Sequence, residues 1–303
     1  MKSLKKPLAL LLLVALVLSL SGCGLAQGRL AIAAMKMQKL NSLRMDLDLE
    51  LGMTMSMLGE NTNIDMDLSG IVGLVIEPLK IEADLSTELF GEPFHLLCYA
   101  NQDGSKLVTF TSVDGGRLWS RSENEISAPE GGSFLNAETI AGIAKLAGSF
   151  VEQGTDTVRG SEVTIYAGKV TGEDLNTVFA AAGLEQTLEK ALEADIPDGS
   201  LDFSGIDPVP ITLCLDRSAN MFTRFTIDLS PMMQILTPVV LHTAVSSALS
   251  RSAFGDLGSL DLSILGFSFD LNKVILSCEM YDFDAVGDIT VPAEALSAGE
   301  AAA

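Results

Sequence analysis

Thiols, imidazoles and carboxylates are the side chains of this chain that could do chemistry, and they are unevenly supplied. The 303 residues hold four cysteines (Cys23, Cys98, Cys214 and Cys278) and two histidines (His95 and His242), against 40 acidic residues. A thiol can serve as nucleophile, metal ligand, half of a disulfide or acceptor of a lipid, and its surroundings decide which. The cysteine spacings fit no C-x-x-C metal pattern. Cys98, Cys214 and Cys278 each stand in a strand-like run, where a buried small hydrophobe is the expected role and one bridge among them is the alternative. His95 and His242 lie far apart amid apolar residues and read as structural side chains rather than catalytic bases. No H-E-x-x-H, G-x-S-x-G, phosphate loop or dinucleotide glycine pattern occurs. Asp46, Asp48 and Glu50 share one side of an extended run, whereas calcium loops wrap their ligands around a tight glycine turn. Those acids read as a solvated face, and no spacing nominates the acid and base of a glycosidase. The chain is expected to be non-enzymatic, with no catalytic residue, no metal ligand and no cofactor.

Cys23 differs from the other three in what precedes it. Residues 1–22, MKSLKKPLALLLLVALVLSLSG, run from three lysines through an apolar stretch, Leu8 to Leu20, to small residues. That is the three-part build of a signal peptide, and the apolar run is too short for a comfortable spanning helix. Leu20-Ser21-Gly22-Cys23 then resembles the bacterial lipobox, in which a lipid is attached to the cysteine thiol and the leader is cut just before it. The resemblance implies a signal peptide over 1–22, lipid attachment at Cys23 and a lipidated tether over 23–28. Each buried CH₂ of an attached chain contributes ~0.8 kcal/mol, so several chains would hold the protein on the extracytoplasmic face of the cell membrane.

Charge narrows the possible partners. The formal net charge is −21, and loss of Lys2, Lys5 and Lys6 with the leader leaves 16 basic residues against 40 acidic ones, or −24. Such a surface repels nucleic acid and anionic headgroups, so lipid contact is expected through apolar burial or the covalent anchor rather than a basic patch. A hydrophobic content of 48% with mean hydropathy +0.35 argues for a packed core in spite of that charge.

The core is announced by Met45 to Met57, MDLDLELGMTMSM. Met45, Leu47, Leu49, Leu51, Met53, Met55 and Met57 occupy every odd position, with acidic, small or hydroxylated residues between them. Strand side chains alternate between two faces, so this pattern gives one oily side and one wet side. A turn at Gly59-Glu60-Asn61 hands over to Ile64, Met66, Leu68 and Val72, again alternating, which predicts a hairpin. Before it, Leu30, Ala33, Ala34, Met37 and Leu40 form the apolar stripe of a first helix ending near Asn41. After it, Leu79 to Leu85, Phe94 to Ala100, Leu107 to Thr111 and Leu118 to Arg121 continue a meander that includes the lone Trp119.

Further on, the spacing predicts helices from Asn136 to Phe150, from Thr171 to about Gly183 and from Leu184 to Leu192, with a strand over Val163 to Val170. Residues 136–192 are thereby expected to form a largely helical insert. Strands return at Ile211 to Leu215 and Phe225 to Leu229. Pro231 to Ser250 is apolar at helical spacing, but Gln234, Pro238 and His242 interrupt it and argue against a membrane span. Leu265 to Leu271 and Val274 to Phe283 predict a last hairpin across Asn272-Lys273, and residues 293–303 a flexible tail. The order points to α+β with either one highly curved sheet or two related subdomains. The lack of a clean repeat favours one sheet over 29–292.

The lipobox, tether, first helix, long alternating strands, lone Trp119 and terminal strand running into Val291-Pro292 together resemble the lipoprotein localisation factor superfamily. Within it, the layout is most similar to uncharacterised cell-surface lipoproteins of Firmicutes. The resemblance implies a curved antiparallel sheet, a half-open barrel, with helices covering the concave face and an acyl-chain pocket between them. On that implication Met45, Leu47, Leu49, Leu51, Met53, Met55, Ile64, Met66 and Leu68 line a lipid cavity, where flexible methionines suit ligands of varying shape. The plain alternative is a filled core in a structural or protein-interaction envelope lipoprotein. Cys23 gives the first test: cells fed an alkyne-tagged palmitate should label the protein and retain it with membranes. Cys23→Ser should abolish the label, and a label that survives this substitution would rule out the thiol as the attachment point.

Overall fold

The computed structural model describes residues 25–37, 39–57, 60–89, 91–125, 150–182, 201–237 and 267–300. The expected leader, Cys23, the helices placed over 136–149 and 184–192, and His242 lie outside them. Among the described residues, eleven strands form one antiparallel sheet in the order β6-β5-β4-β3-β2-β1-β11-β10-β9-β8-β7. The two central strands are the predicted hairpin, β1 (Ser42–Met57) and β2 (Glu60–Val75), each 16 residues long. β3 (Lys80–Leu89), β4 (Glu92–Asp103), β5 (Lys106–Ser112) and β6 (Ser120–Glu125) follow as a meander of sequence neighbours. β7 (Val151–Val158), β8 (Ser161–Val170), β9 (Val209–Asp216), β10 (Met221–Asp228) and β11 (Phe267–Tyr281) make the other half. The outer strands β6 and β7 do not pair with each other, so the curved sheet stays unclosed.

Three expectations are corrected. Asn272-Lys273 is not a hairpin turn: β11 runs straight through it, pairing with β1 from Tyr281 opposite Arg44 to Phe267 opposite Met57. The register slips by one between Gly52 and Met53, because Lys273 faces Gly52 while Leu271 faces Met53. Asn272 is therefore the extra residue of a β-bulge. A Cβ on Gly52 would stand 2.9 Å from Asn272 Oδ1, so the glycine makes room for the bulge, and Asn272 Nδ2 donates to Thr54 Oγ1 at 2.9 Å. Second, the expected helical insert over 136–192 is interrupted by β7 as well as by β8, the strand expected at Val163 to Val170, and both extend the sheet. A helix follows them, α2 (Gly172–Ala182). Thr171 caps it as expected, accepting from Asp174 N at 3.2 Å. Third, the tail contains a docked helix, α3 (Ala293–Glu300), whose Ala295 is fully buried.

Most of the core lies on the apolar side of the sheet. α1 (Leu25–Met37) turns Leu30, Ala33, Ala34 and Met37 against Met45, Met280, Phe222 and Phe225 in one buried cluster. Leu175 of α2 and Met232 and Met233 of the helical residues 230–237 join the same cluster. α3 packs on the opposite side, where Ala295 and Val291 meet Phe110, Tyr99 and Trp119. The segment leading to it crosses the end of the sheet, held by Asp284 N to Ser42 O at 2.9 Å and by an ion pair between Lys80 and Asp288.

Contacts on the polar side reveal how far the sheet bends. Asp46, Glu279, Arg224, Cys214 and Ile165 stand in one row across β1, β11, β10, β9 and β8. Four strand spacings would separate the ends of that row by roughly 19 Å if the sheet were flat. Yet Arg159, in the tight β7–β8 turn, pairs with Asp46 and lies 3.6 Å over the Tyr281 ring. Arg224 on β10 likewise reaches Glu279 at 2.5 Å and Asp156 on β7 at 3.1 Å. The β7–β8 hairpin must coil over the polar side, and it shelters Val158, Val163, Cys214 and Ile165 beneath it. Arg159 at φ 48° and Gly160 at φ 82° make the two-residue turn whose twist suits such a hairpin.

Close approach between β2 and β3 sets a testable constraint. A Cβ on Gly70 would fall 1.9 Å from Asp84 O, a backbone atom that no rotamer change can move. Gly70→Ala should destabilise the fold by about 1–3 kcal/mol, the usual cost of overpacking, seen as a lower denaturation midpoint. Gly28→Ala, in open space on α1, should instead add about 0.5–1 kcal/mol. Equal effects at the two positions would refute the close-approach argument.

Candidate functional site

Strand register brings the candidate residues together. Across β1 and β2, Leu49 faces Leu68, Leu51 faces Met66 and Met53 faces Ile64, while Met45 faces Val72 and Leu47 faces Gly70. Across β1 and β11, Met45 faces Met280, Leu47 Cys278, Leu49 Leu276 and Leu51 Val274, and beyond the bulge Met53 faces Leu271. All nine named side chains therefore share one side of β1 and β2, and β11 continues that side. Sequence reasoning missed the contribution of β11, because reading Asn272-Lys273 as a turn removed it from beside β1. It also missed Leu85 and Leu96, which extend the row from Leu47 and Gly70 across β3 and β4. The signal was present, since Leu79 to Leu85 alternates as β1 does.

Burial changes along this surface. Met45 is 2% exposed and belongs to the core. Leu47, Leu49 and Leu51 are half-buried and pack against that core. Leu68 and Met66 are half-buried beside Leu49 and Leu51, whereas half-buried Met53, Met55 and Ile64 lie farther along the hairpin, away from the cluster built around α1. On β2 the half-buried residues alternate with exposed Asp65, Asp67 and Ser69, as the period of two requires. The surface is thus filled at one end and more open at the other. Two open depressions of about 470 and 400 Å³ lie elsewhere. One is at the β7–β9 edge near Gln153, Lys169 and Pro210, and the other is on the acidic side near Asp48, Asp65, Asp67 and Lys273.

The acidic side is solvated, as expected, and two of its carboxylates are also paired. Asp46 accepts from Tyr281 Oη at 2.8 Å and from Arg159, and Glu50 meets Lys273 Nζ at 2.5 Å. The hydrogen bond from Lys273 to Glu50, that carboxylate's charge and those of Asp65 and Asp67 hold the amine above its usual range. His95 also differs from its expected apolar setting: its Nε2 lies 2.5 Å from Asp84 Oδ1 at the surface. Among the described residues, no three acidic, histidine or cysteine side chains converge as metal ligands. None of the described helices is long and apolar enough to cross a membrane.

No family model matches the chain, and no curated protein matches it. Among solved structures it is similar to the Mycobacterium tuberculosis lipoprotein LppX, at 11% identity over 86% of this chain and 96% of that one, TM-score 0.39. It is similar to LprF from Mycobacterium bovis, at 12% identity over 91% and 99%, TM-score 0.41. A putative outer membrane lipoprotein-sorting protein domain from Vibrio parahaemolyticus gives 11% identity over 60% and 68%, TM-score 0.17.

Cys98, Cys214 and Cys278 are free thiols. Burial pushes all three up, Cys278 to about 12, so the reactive thiolate is scarce at neutral pH. Cys278, on the apolar face beside Leu47, should resist a disulfide reagent at pH 8 in the folded protein and react at once in denaturant. Rapid native labelling of Cys278, located by peptide mapping, would show that the face opens to water.

Proposed function

We propose that this chain is an exported lipoprotein, held on the membrane by acyl groups such as palmitate on Cys23. In this reading the domain over 29–292 binds or carries acyl chains on the apolar face shared by β11, β1 and β2, beneath the helices that pack on that face. The role is non-enzymatic: binding needs only an adaptable apolar surface. The observation that carries this reading is the burial gradient, with a filled end at Met45 and half-buried Met53, Met55 and Ile64 beyond the residues that pack against the core. A methionine-bearing face that is only partly covered is suited to ligands of varying length. One observation favours a filled interior instead, namely that Leu47, Leu49 and Leu51 already pack against the core. The ligand is therefore assigned to the far end, around Met53, Met55, Ile64 and Met66.

Native mass spectrometry of the mature chain carrying Cys23→Ser should reveal a co-purified amphiphile, and a fluorescent fatty acid should bind it. Placing a lysine at Met53 or Met66 should weaken that binding by about tenfold or more, the loss of one buried apolar side chain, and leave the fold intact. A clean apo mass with no fatty-acid uptake would leave the filled-core lipoprotein as the surviving interpretation.

A further inference from the structure

α1 has a second side. While Leu30, Ala33, Ala34 and Met37 enter the core, Ile32 and Met35 are 45% and 50% exposed. Ile32 and Met35 are three residues apart and Lys36 lies four residues from Ile32, so the outward side combines two apolar side chains with a cation, while the Arg29 guanidinium turns to the buried Tyr166. Lys36 Nζ donates to Ala219 O at 2.7 Å, and exposed Lys39 follows just beyond the helix. The charge here runs opposite to the rest of the chain. Residues 23–45 contain Arg29, Lys36, Lys39 and Arg44 and no acid, and the first acidic residue anywhere in the sequence is Asp46. Arg44 is taken up by Glu82 at 2.9 Å and Arg29 lies against Tyr166, which leaves Lys36 and Lys39 as the cations nearest the anchor.

We propose that this outward side of α1 lies against the anionic surface of the bilayer that carries the anchor, with Ile32 and Met35 dipping into the headgroup and acyl boundary. The inference rests on the reading of Cys23 as lipidated. Cys23 precedes Leu25 by two residues, which span about 7 Å at most when extended, so a lipidated thiol keeps the start of α1 at the membrane. A helix with apolar and basic residues on its outward side is the form that lies in such an interface. The −24 charge of the remainder does not forbid it, because repulsion fades beyond a Debye length of about 8 Å at physiological salt. Membrane contact is then made by the helix as well as the lipid, which fixes how the domain sits and not merely that it is tethered.

The test uses the lipidated protein, expressed with its leader and reconstituted into vesicles of phosphatidylcholine and phosphatidylglycerol with brominated acyl chains. With Trp119→Phe as background, Met35→Trp should lose about half its emission or more, as for a ring held ~5–10 Å deep, and Leu296→Trp on α3 should not. Adding Lys36→Glu and Lys39→Glu to Cys23→Ser protein should weaken its vesicle binding by roughly fivefold or more per site. Met35→Trp emission no more quenched than that of Leu296→Trp overturns the inference, as does vesicle binding indifferent to both lysines. The mass of the Cys23 peptide is read separately. Quenching without a lipid on that peptide retains the helix contact and removes the anchor, whereas lipid without quenching does the reverse.

Discussion

The period of two along β1 commits both sides of the sheet at once. A 16-residue strand that sends Met45, Leu47, Leu49, Leu51, Met53 and Met55 one way must send Asp46, Asp48, Glu50, Thr54 and Ser56 the other. A slip of one residue against either neighbour would bury the acids and expose the methionines, so register is strongly specified. That demand explains the bulge at Asn272. It absorbs one residue of β11, so that Leu271 and Val274, an odd number apart, both face the apolar side. Gly52 permits it by offering no side chain where Asn272 and Lys273 close in.

The two sides are stabilised by different physics. Apolar burial on one side is contiguous, joining α1, α2 and residues 230–237 to the sheet through Met45, Met280 and Phe225. On the other side, partly exposed ion pairs are individually worth little, about 0–1 kcal/mol each. Arg159 nevertheless joins an edge hairpin to the central strands through Asp46, Glu279 and the Tyr281 ring. Its effect is geometric: it marks the corner at which the sheet has coiled toward its polar side. The hairpin that makes this bend also gives Cys214 and Val163 a dry environment without a helix above them.

Strong alternation was legible in the sequence, and weak alternation was not. β1 to β5, β8 and β9 follow from apolar residues at every second position, and α1 and α2 from their stripes and the cap at Thr171. β7, VEQGTDTV, escaped because every residue except Val158 is exposed, so there is no apolar side to reveal it. Asn272-Lys273 misled because a bulge and a turn both use residues that leave the regular ladder, and only the partner strand distinguishes them. α3 was hidden by composition: an Ala-rich segment has helical propensity but no stripe, and it is Ala295 fitting against Phe110 that fixes it. The nine apolar candidates were legible as a common side, but the gradient among them was not. It depends on where α1 and residues 230–237 come to rest.

That gradient and the charge of the N-terminal segment bear on each other. Lys36 and Lys39, the cations of the N-terminal segment left for the membrane, belong to α1 and its end, and α1 also roofs the filled, Met45 end of the apolar surface. The partly covered end lies along the same two strands, toward Met55 and Ile64. At ~3.3 Å per residue, the ten positions from Met45 to Met55 span about 33 Å, which is comparable to the hydrocarbon thickness of a bilayer. A helix resting on the membrane by the side turned away from the sheet would set the apolar surface toward the bilayer, with the partly covered end beside the helix rather than beneath it. An acyl chain could then pass from the bilayer to that end without crossing the acidic side of the sheet, which is the arrangement a carrier or sensor needs and a simple tether does not.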